Sequence, residues 1–81
     1  MLEQLRHGAK TIGLKQTVRL VEADAAARVF IAQDADERVV GKLRDLCTAK
    51  GIEVIRAESM KALGKACGID VGAAVAALLK D

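Results

Sequence analysis

Four consecutive apolar residues, Val29, Phe30, Ile31 and Ala32, stand between polar and charged stretches and constrain the fold more than any other feature of the chain. So short a run is consistent with a buried strand and points to a sheet. The segments around it carry helical spacing. After Gly13, Val18, Val21 and Ala25 recur at helical intervals and predict a helix over roughly Lys15 to Ala23. Asp34 and Glu37 have capping-box spacing before the next helix, and Asp36 is an alternative cap. That helix carries Val39, Val40, Leu43, Leu46 and Cys47 on its apolar side and is predicted to stop at Gly51. Ile52, Val54 and Ile55 make a second short strand, interrupted by Glu53. Ser59 caps a further helix in which Met60, Leu63 and Cys67 define a packing stripe and Gly68 marks the end.

The two ends are read less sharply. Leu2 and Leu5 suit a short opening helix, followed by an extended passage near Thr11 and Ile12. Ala73 to Lys80 is open between helix, favoured by its alanines, and a covered strand, favoured by Val75, Leu78 and Leu79. Helices alternating with strands favour a helix-sheet-helix sandwich over a helical bundle. With 81 residues the chain has room for one domain, spanning 1–81, and one modest core, since only about 60 to 65% of the surface of so short a chain can be buried. That leaves no space for a large enclosed active site.

Composition narrows the class. A content of 52% hydrophobic and 30% charged residues argues against disorder, and no apolar run is long enough to cross a membrane. Met1, Leu2, Glu3, Gln4 and Leu5 lack the basic start, long apolar stretch and cleavage site of a secretory signal, so a cytoplasmic location is expected. Cys47 and Cys67 have no second cysteine or histidine at zinc-ligand spacing and are read as reduced packing residues. No metal and no cofactor is expected.

Thirteen Lys and Arg against eleven Asp and Glu leave a net charge of only +2, so the distribution of charge matters more than its sum. Arg6, Lys10, Lys15 and Arg19, with His7 among them, occupy a stretch with no acid, while Asp34, Asp36 and Glu37 lie elsewhere. Such asymmetry makes either a solvated face or a positive surface that attracts phosphate. Lys15 and Arg19 lie four apart at one helix start, and Lys61 and Lys65 four apart at another. Basic groups there oppose the helix dipole at a cost of a few tenths to about 1 kcal/mol. An anionic partner reverses that balance, because free helix-start amides and adjacent lysines then act on the same phosphates. Gln16 adds an amide able to donate to and accept from a base edge.

Gly13, Leu14, Lys15, Gln16, Thr17, Val18 and Arg19 resemble the RNA-binding motif of the ribosomal protein L-seven-Ae family, particularly its small bacterial YbxF-like members. The likeness continues through Gly51 and Ile52 and the segment Ser59 to Gly68, and reaches Val71, Gly72, Ala73 and Ala74. It therefore covers almost the whole chain, in family order. The resemblance implies a three-layer α/β/α sandwich with a small mixed sheet, and recognition of a kink-turn, a sharply bent RNA duplex containing tandem sheared G·A pairs. The archaeal motif commonly has Asn and Glu where this chain has Lys15 and Gln16. Lys15 is able to donate to a guanine edge or phosphate, and Gln16 to accept from a base amino group without the charge of Glu. The resemblance also sets the loop bearing Ala57, Glu58, Ser59 and Met60 beside an unstacked nucleotide at the bend, with core packing as the other reading of Met60. Lys10, Arg19, Lys61 and Lys65 complete the expected RNA-contacting set.

The weaker signals build no active site, and no catalytic residue is expected. Phe30 is the only aromatic residue, so the stacking platform of many single-strand binders has no basis here and a shaped duplex fits better. Gly64, Gly68 and Gly72 do not form an ordered phosphate loop. Asp34 with Asp36 or Glu37 suits helix capping better than paired-carboxylate chemistry, and His7 lacks a nucleophile or metal partner. The leading expectation is thus a monomeric, non-enzymatic kink-turn RNA binder that works in ribonucleoproteins and not on DNA or membranes. The alternatives are a ribosomal protein or ribosome-associated accessory with general contacts to structured or ribosomal RNA, and a protein-interaction module.

Overall fold

The computed structural model describes residues 4–80. In chain order the elements are α1 (Gln4–His7), β1 (Lys10–Ile12), α2 (Leu14–Glu22), β2 (Ala26–Ala32), α3 (Glu37–Lys50), β3 (Glu53–Ala57), α4 (Met60–Ala66) and β4 (Val75–Leu79). The four strands form one sheet in the order β1-β4-β2-β3. β2 and β3 are parallel, joined by the crossover helix α3 that a parallel pair requires, whereas β4 runs antiparallel to both β1 and β2. The sheet is mixed, as the resemblance implies.

Alternation along β2 explains why Val29 to Ala32 are all apolar. Val29 and Ile31 face a core shared with Val21 of α2 and Val40, Leu43 and Cys47 of α3. Phe30 and Ala32 face the other core, with Leu5 of α1, Leu63 of α4 and Cys67. Helices on both faces thus leave residues 29–32 of β2 no polar side, and the three layers form the α/β/α sandwich. The same double coverage decides the ambiguous C-terminal segment in favour of a strand. β4 sits between β1 and β2, with Val75 and Ala77 in one core and Ala76 in the other, all fully buried. Small side chains there let helices close on both faces, and pairing with distant strands overrides the alanine preference for helix.

Helix ends follow local chemistry. Asp36, the alternative cap, is the one used: its side chain accepts the Arg38 N–H, and Gly51 ends α3 in the left-handed conformation. The Asp34–Glu37 capping box does not form, because the Asp34 carboxylate is engaged elsewhere. Three assignments to the apolar faces are corrected. Ala25 lies beyond the end of α2, Val39 is exposed on α3, and Met60 is exposed at the first position of α4. The opening helix is present around the buried Leu5; Leu2 lies outside the described residues. Cys47 and Cys67 are free and buried. Among the described residues no helix is long and apolar enough to cross a membrane.

Candidate nucleic-acid interface

β1 ends and α2 begins at Gly13, whose φ of 105° lies where side-chain-bearing residues are strained. The Gly13 N–H donates to the Val75 carbonyl at 3.1 Å, which fixes the start of α2 to the first residue of β4, and the Gly13 carbonyl accepts the Thr17 N–H. No side chain caps this helix and no acid stands in its first turn. The N–H groups of Leu14, Lys15 and Gln16 therefore have no acceptor among the described residues and carry the positive end of the helix dipole into solvent. Lys15, Gln16 and Arg19 are all exposed around them. Gln16 folds back over its own helix start, since a Cβ on Gly13 would stand 3.0 Å from Gln16 Oε1.

The start of α4 is built differently. Ser59 Oγ accepts the Ala62 N–H at 3.0 Å, and the Ser59 carbonyl accepts the Leu63 N–H. Asp34 Oδ1 reaches across from the β2–α3 turn to accept the Met60 N–H at 2.7 Å. The expectation of free amides at both lysine-bearing helix starts is corrected here: α2 is open, whereas α4 is largely closed by oxygen acceptors. Lys61 and Lys65 remain exposed on α4, but as charged side chains without a free helix start beneath them.

Between the two helix starts runs the loop of residues 70–74. Its Ala73 N–H donates to the Met60 carbonyl at 3.0 Å, and its Ala74 carbonyl accepts the Ala32 N–H at 2.8 Å. Gly72 packs against Met60, where an added Cβ would lie 3.2 Å from Met60 Cβ. Gly64 packs against the loop backbone so closely that a Cβ would stand 2.0 Å from the Val71 oxygen. This pins the loop while leaving Val71 70% exposed, the most exposed large hydrophobic side chain among the described residues, with Met60 37% exposed beside it. The edge thus joins open amides, amide and basic side chains, and a small apolar shelf.

The residues singled out from sequence do not all reach this edge with their side chains. Leu14 packs against the α2–α3 core, and Glu58, Met60, Lys61 and Lys65 are exposed. Thr17 and Ala57 are corrections, for both side chains are buried. The Thr17 hydroxyl has no partner among the described residues, and the Ala57 carbonyl is taken by the Gln33 N–H. Lys10 is also set apart. Half-buried on β1 opposite Leu78, it lies roughly 10 Å along the strand from Gly13. Its charge acts on Cys67, partly opposing the burial that pushes that thiol up. Val71, Gly72 and Asp34 are the additions. The first two lie in the matched segment but look like core and turn residues by type, and Asp34 looks like a helix cap.

Among the described residues, four ion pairs form on the surface outside this edge. Arg28 pairs with Glu53, Arg38 with Asp36, Arg44 with Glu37 and Lys50 with Asp24. Among the described residues no carboxylate pairs with Lys15, Arg19, Lys61 or Lys65. Lys42 and Arg56, away from this edge, are likewise unpaired among the described residues, so what marks the edge is that its free cations stand around an open helix start. Among the described residues, no three His, Cys, Asp or Glu side chains converge as a metal site.

The profile of the Ribosomal protein L7Ae/L30e/S12e/Gadd45 family matches residues 2–81. The chain is 52% identical over 69 residues to the RNA-binding protein BH0128 of Halalkalibacterium halodurans, covering 85% of this chain and 84% of that one. To the RNA-binding protein YbxF of Geobacillus stearothermophilus it is 41% identical over 76 residues, covering 94% and 93%. Among solved structures, the Giardia lamblia 15.5kD RNA binding protein superposes with a TM-score of 0.92 at 33% identity, covering 99% of this chain and 71% of that one.

Proposed function

The chain belongs to the Ribosomal protein L7Ae/L30e/S12e/Gadd45 family, and from that membership we propose that it binds RNA, recognising a kink-turn and holding it in its bent state. The observation that carries this reading is the open start of α2, with Lys15 and Gln16 exposed on it, beside the Val71–Met60 shelf. The amides of Leu14, Lys15 and Gln16 together with the Lys15 ammonium receive phosphate or a guanine edge. Gln16 reads a base edge with an amide that both donates and accepts, while Arg19 holds backbone. Val71 and Met60 cover the face of a nucleotide extruded at the bend. Phe30 is fully buried, so no aromatic platform competes for splayed single strands.

Magnitudes favour shared work over a single contact. Moving an RNA from a bent fraction of about 1% to about 99% takes roughly 5.5 kcal/mol of preference for the bent state. Each good base-edge contact is worth about 1 to 3 kcal/mol. Lys15 and Gln16 together supply about 2 to 6 kcal/mol and meet the requirement only at the upper end of that range; anywhere below it, contacts from the loop of residues 70–74 supply the rest. Residues 1–81 act in this way as one RNA-binding domain, a monomer in the cytoplasm, with ribosomal RNA among the structured RNAs it is suited to meet. The work is binding, with no reaction attached.

The test is the affinity for a kink-turn and for a straight duplex of equal length, each at several salt concentrations, for the unmodified protein and for Lys15→Ala. The expected result is a clear preference for the kink-turn, and a loss in Lys15→Ala of about 1 to 3 kcal/mol if this side chain reads a base. A reduced salt slope with little change in preference would assign Lys15 to phosphate. Equal binding of both RNAs by the unmodified protein would refute kink-turn recognition.

A further inference from the structure

Asp34 stands in the turn between β2 and α3, yet the helix it precedes is capped by Asp36. Its Oδ1 instead accepts the Met60 N–H, 26 positions away in sequence. Met60 passes that restraint on: its carbonyl accepts the Ala73 N–H, and its Cβ and carbonyl form the surface against which Gly72 packs. Two residues after Ala73, the Val75 carbonyl accepts the Gly13 N–H at the start of α2. An unbroken path of short contacts therefore runs from Asp34 through Met60 and the 70–74 loop to the helix that carries Lys15 and Gln16.

The charge of Asp34 works against the partner assigned to this edge. A carboxylate beside a phosphate-binding surface repels the ligand, and its removal by itself strengthens binding. The start of α4 already has Ser59 as its cap. We propose that Asp34 is a positioning residue for RNA recognition: by holding the Met60 amide it fixes where Val71 and Gly72 stand relative to Lys15 and Gln16. The proposal rests on the kink-turn reading above. Asp34 touches no RNA itself; the hydrogen bond matters because small displacements of an apolar shelf spoil its fit to a base while leaving phosphate attraction intact.

This role and a plain surface charge predict opposite signs. Affinities for a kink-turn and a straight duplex are measured for the unmodified protein, Asp34→Ala and Asp34→Asn, with melting curves to establish folding. Asp34→Ala is expected to lose about tenfold on the kink-turn, the loss of one charge-assisted hydrogen bond, and to bind the straight duplex as well as before or better. Asp34→Asn keeps the acceptor oxygen and sheds the charge, so its kink-turn affinity stays at or above that of the unmodified protein. Equal or tighter kink-turn binding by Asp34→Ala overturns the proposal, and so does a loss in Asp34→Asn as large as in Asp34→Ala. Native-state hydrogen exchange in the unmodified protein gives a check that needs no variant to fold: the Met60 amide is expected to exchange more slowly than the open Lys15 amide, and equal rates overturn the anchor. Should the unmodified protein show no kink-turn preference, the functional reading fails first and the positioning role falls with it, whereas a slow Met60 amide would still establish the bond.

Discussion

Gly64→Ala gives a sharp test of how the binding edge is assembled. Gly64 lies inside α4, where Ala in place of Gly ordinarily stabilises a helix by about 1 kcal/mol. Here the new Cβ would stand 2.0 Å from the Val71 carbonyl oxygen, 3.0 Å from the Val71 carbonyl carbon and 3.1 Å from the Gly72 α-carbon. All of these are backbone atoms of the 70–74 loop, so no side chain can rotate away. To restore ordinary non-bonded separation the carbonyl must retreat by roughly 1 Å or more. Overpacking of this kind costs about 1 to 3 kcal/mol. After the helix gain is subtracted, a net loss of about 0 to 2 kcal/mol remains. At about 4 to 8 °C per kcal/mol for a domain of this size, the melting temperature falls by no more than about 16 °C.

Binding should change even where stability barely does, because the displaced atoms carry Val71. Kink-turn affinity is expected to fall by about tenfold, equivalent to about 1.4 kcal/mol, while binding to a straight duplex changes little. Gly41→Ala supplies the control. Gly41 is also a helix-interior glycine, but its added Cβ would meet only the Glu37 carboxylate, with Oε2 at 3.1 Å, and that is the movable end of a side chain. Gly41→Ala should therefore raise stability, by up to about 1 kcal/mol, and leave RNA preference alone. Thermal melts and RNA titrations on both variants decide the matter. If Gly64→Ala melts as high as Gly41→Ala with kink-turn preference intact, the account of the loop as a pinned shelf is wrong.

The buried Thr17 hydroxyl has no partner among the described residues, so Thr17→Val is expected to stabilise the chain by about 1 kcal/mol with unchanged RNA affinity, read from urea unfolding and titration. Gln16→Ala should lower the affinity ratio between an intact kink-turn and one with replaced G·A pairs, whereas Lys65→Ala weakens both about equally; an unchanged ratio removes Gln16 from the base-reading set. Burial pushes the Cys47 and Cys67 thiols above their ordinary value of 9.0. Their neutral forms thus favour the folded state in full below that value, and the contribution is lost as pH rises beyond it; urea midpoints should decline above about pH 9, and a decline of equal size in a Cys47→Ala/Cys67→Ala variant would rule out the thiols as its cause.

Legibility in the sequence tracked how local each determinant is. The run through Phe30, the Asp36 and Ser59 caps and the stop at Gly51 depend on a few neighbouring residues, and all are where their chemistry puts them. Residues 73–80 could not be decided locally because their strand state comes from pairing with β1 and β2. Val39 and Met60 fit a helical period but sit at the border of the buried stripe, where spacing does not distinguish inside from outside. The resemblance placed Thr17 and Ala57 among the RNA-contacting residues, yet motif membership says nothing of side-chain direction, and both turn inward.

The 70–74 loop is a harder case, because its meaning lies in contacts between distant segments. Gly64, Gly68 and Gly72 look in sequence like one four-residue pattern, but they meet different demands. Gly68 follows the end of α4, whereas Gly64 and Gly72 are small because the loop and the helix must touch backbone to backbone. Valine at position 71 has the composition of a core residue, and only the closeness enforced by its two glycine neighbours in space explains why it stands outside. Asp34 belongs with them, since its carboxylate completes the same contact from a third segment. The start of α2 is thus written in contiguous sequence, while the shelf proposed to tell a bent RNA from a straight one is assembled from β2–α3, α4 and the approach to β4. Substitutions in those segments are therefore expected to change preference for RNA shape before they change general attraction to phosphate.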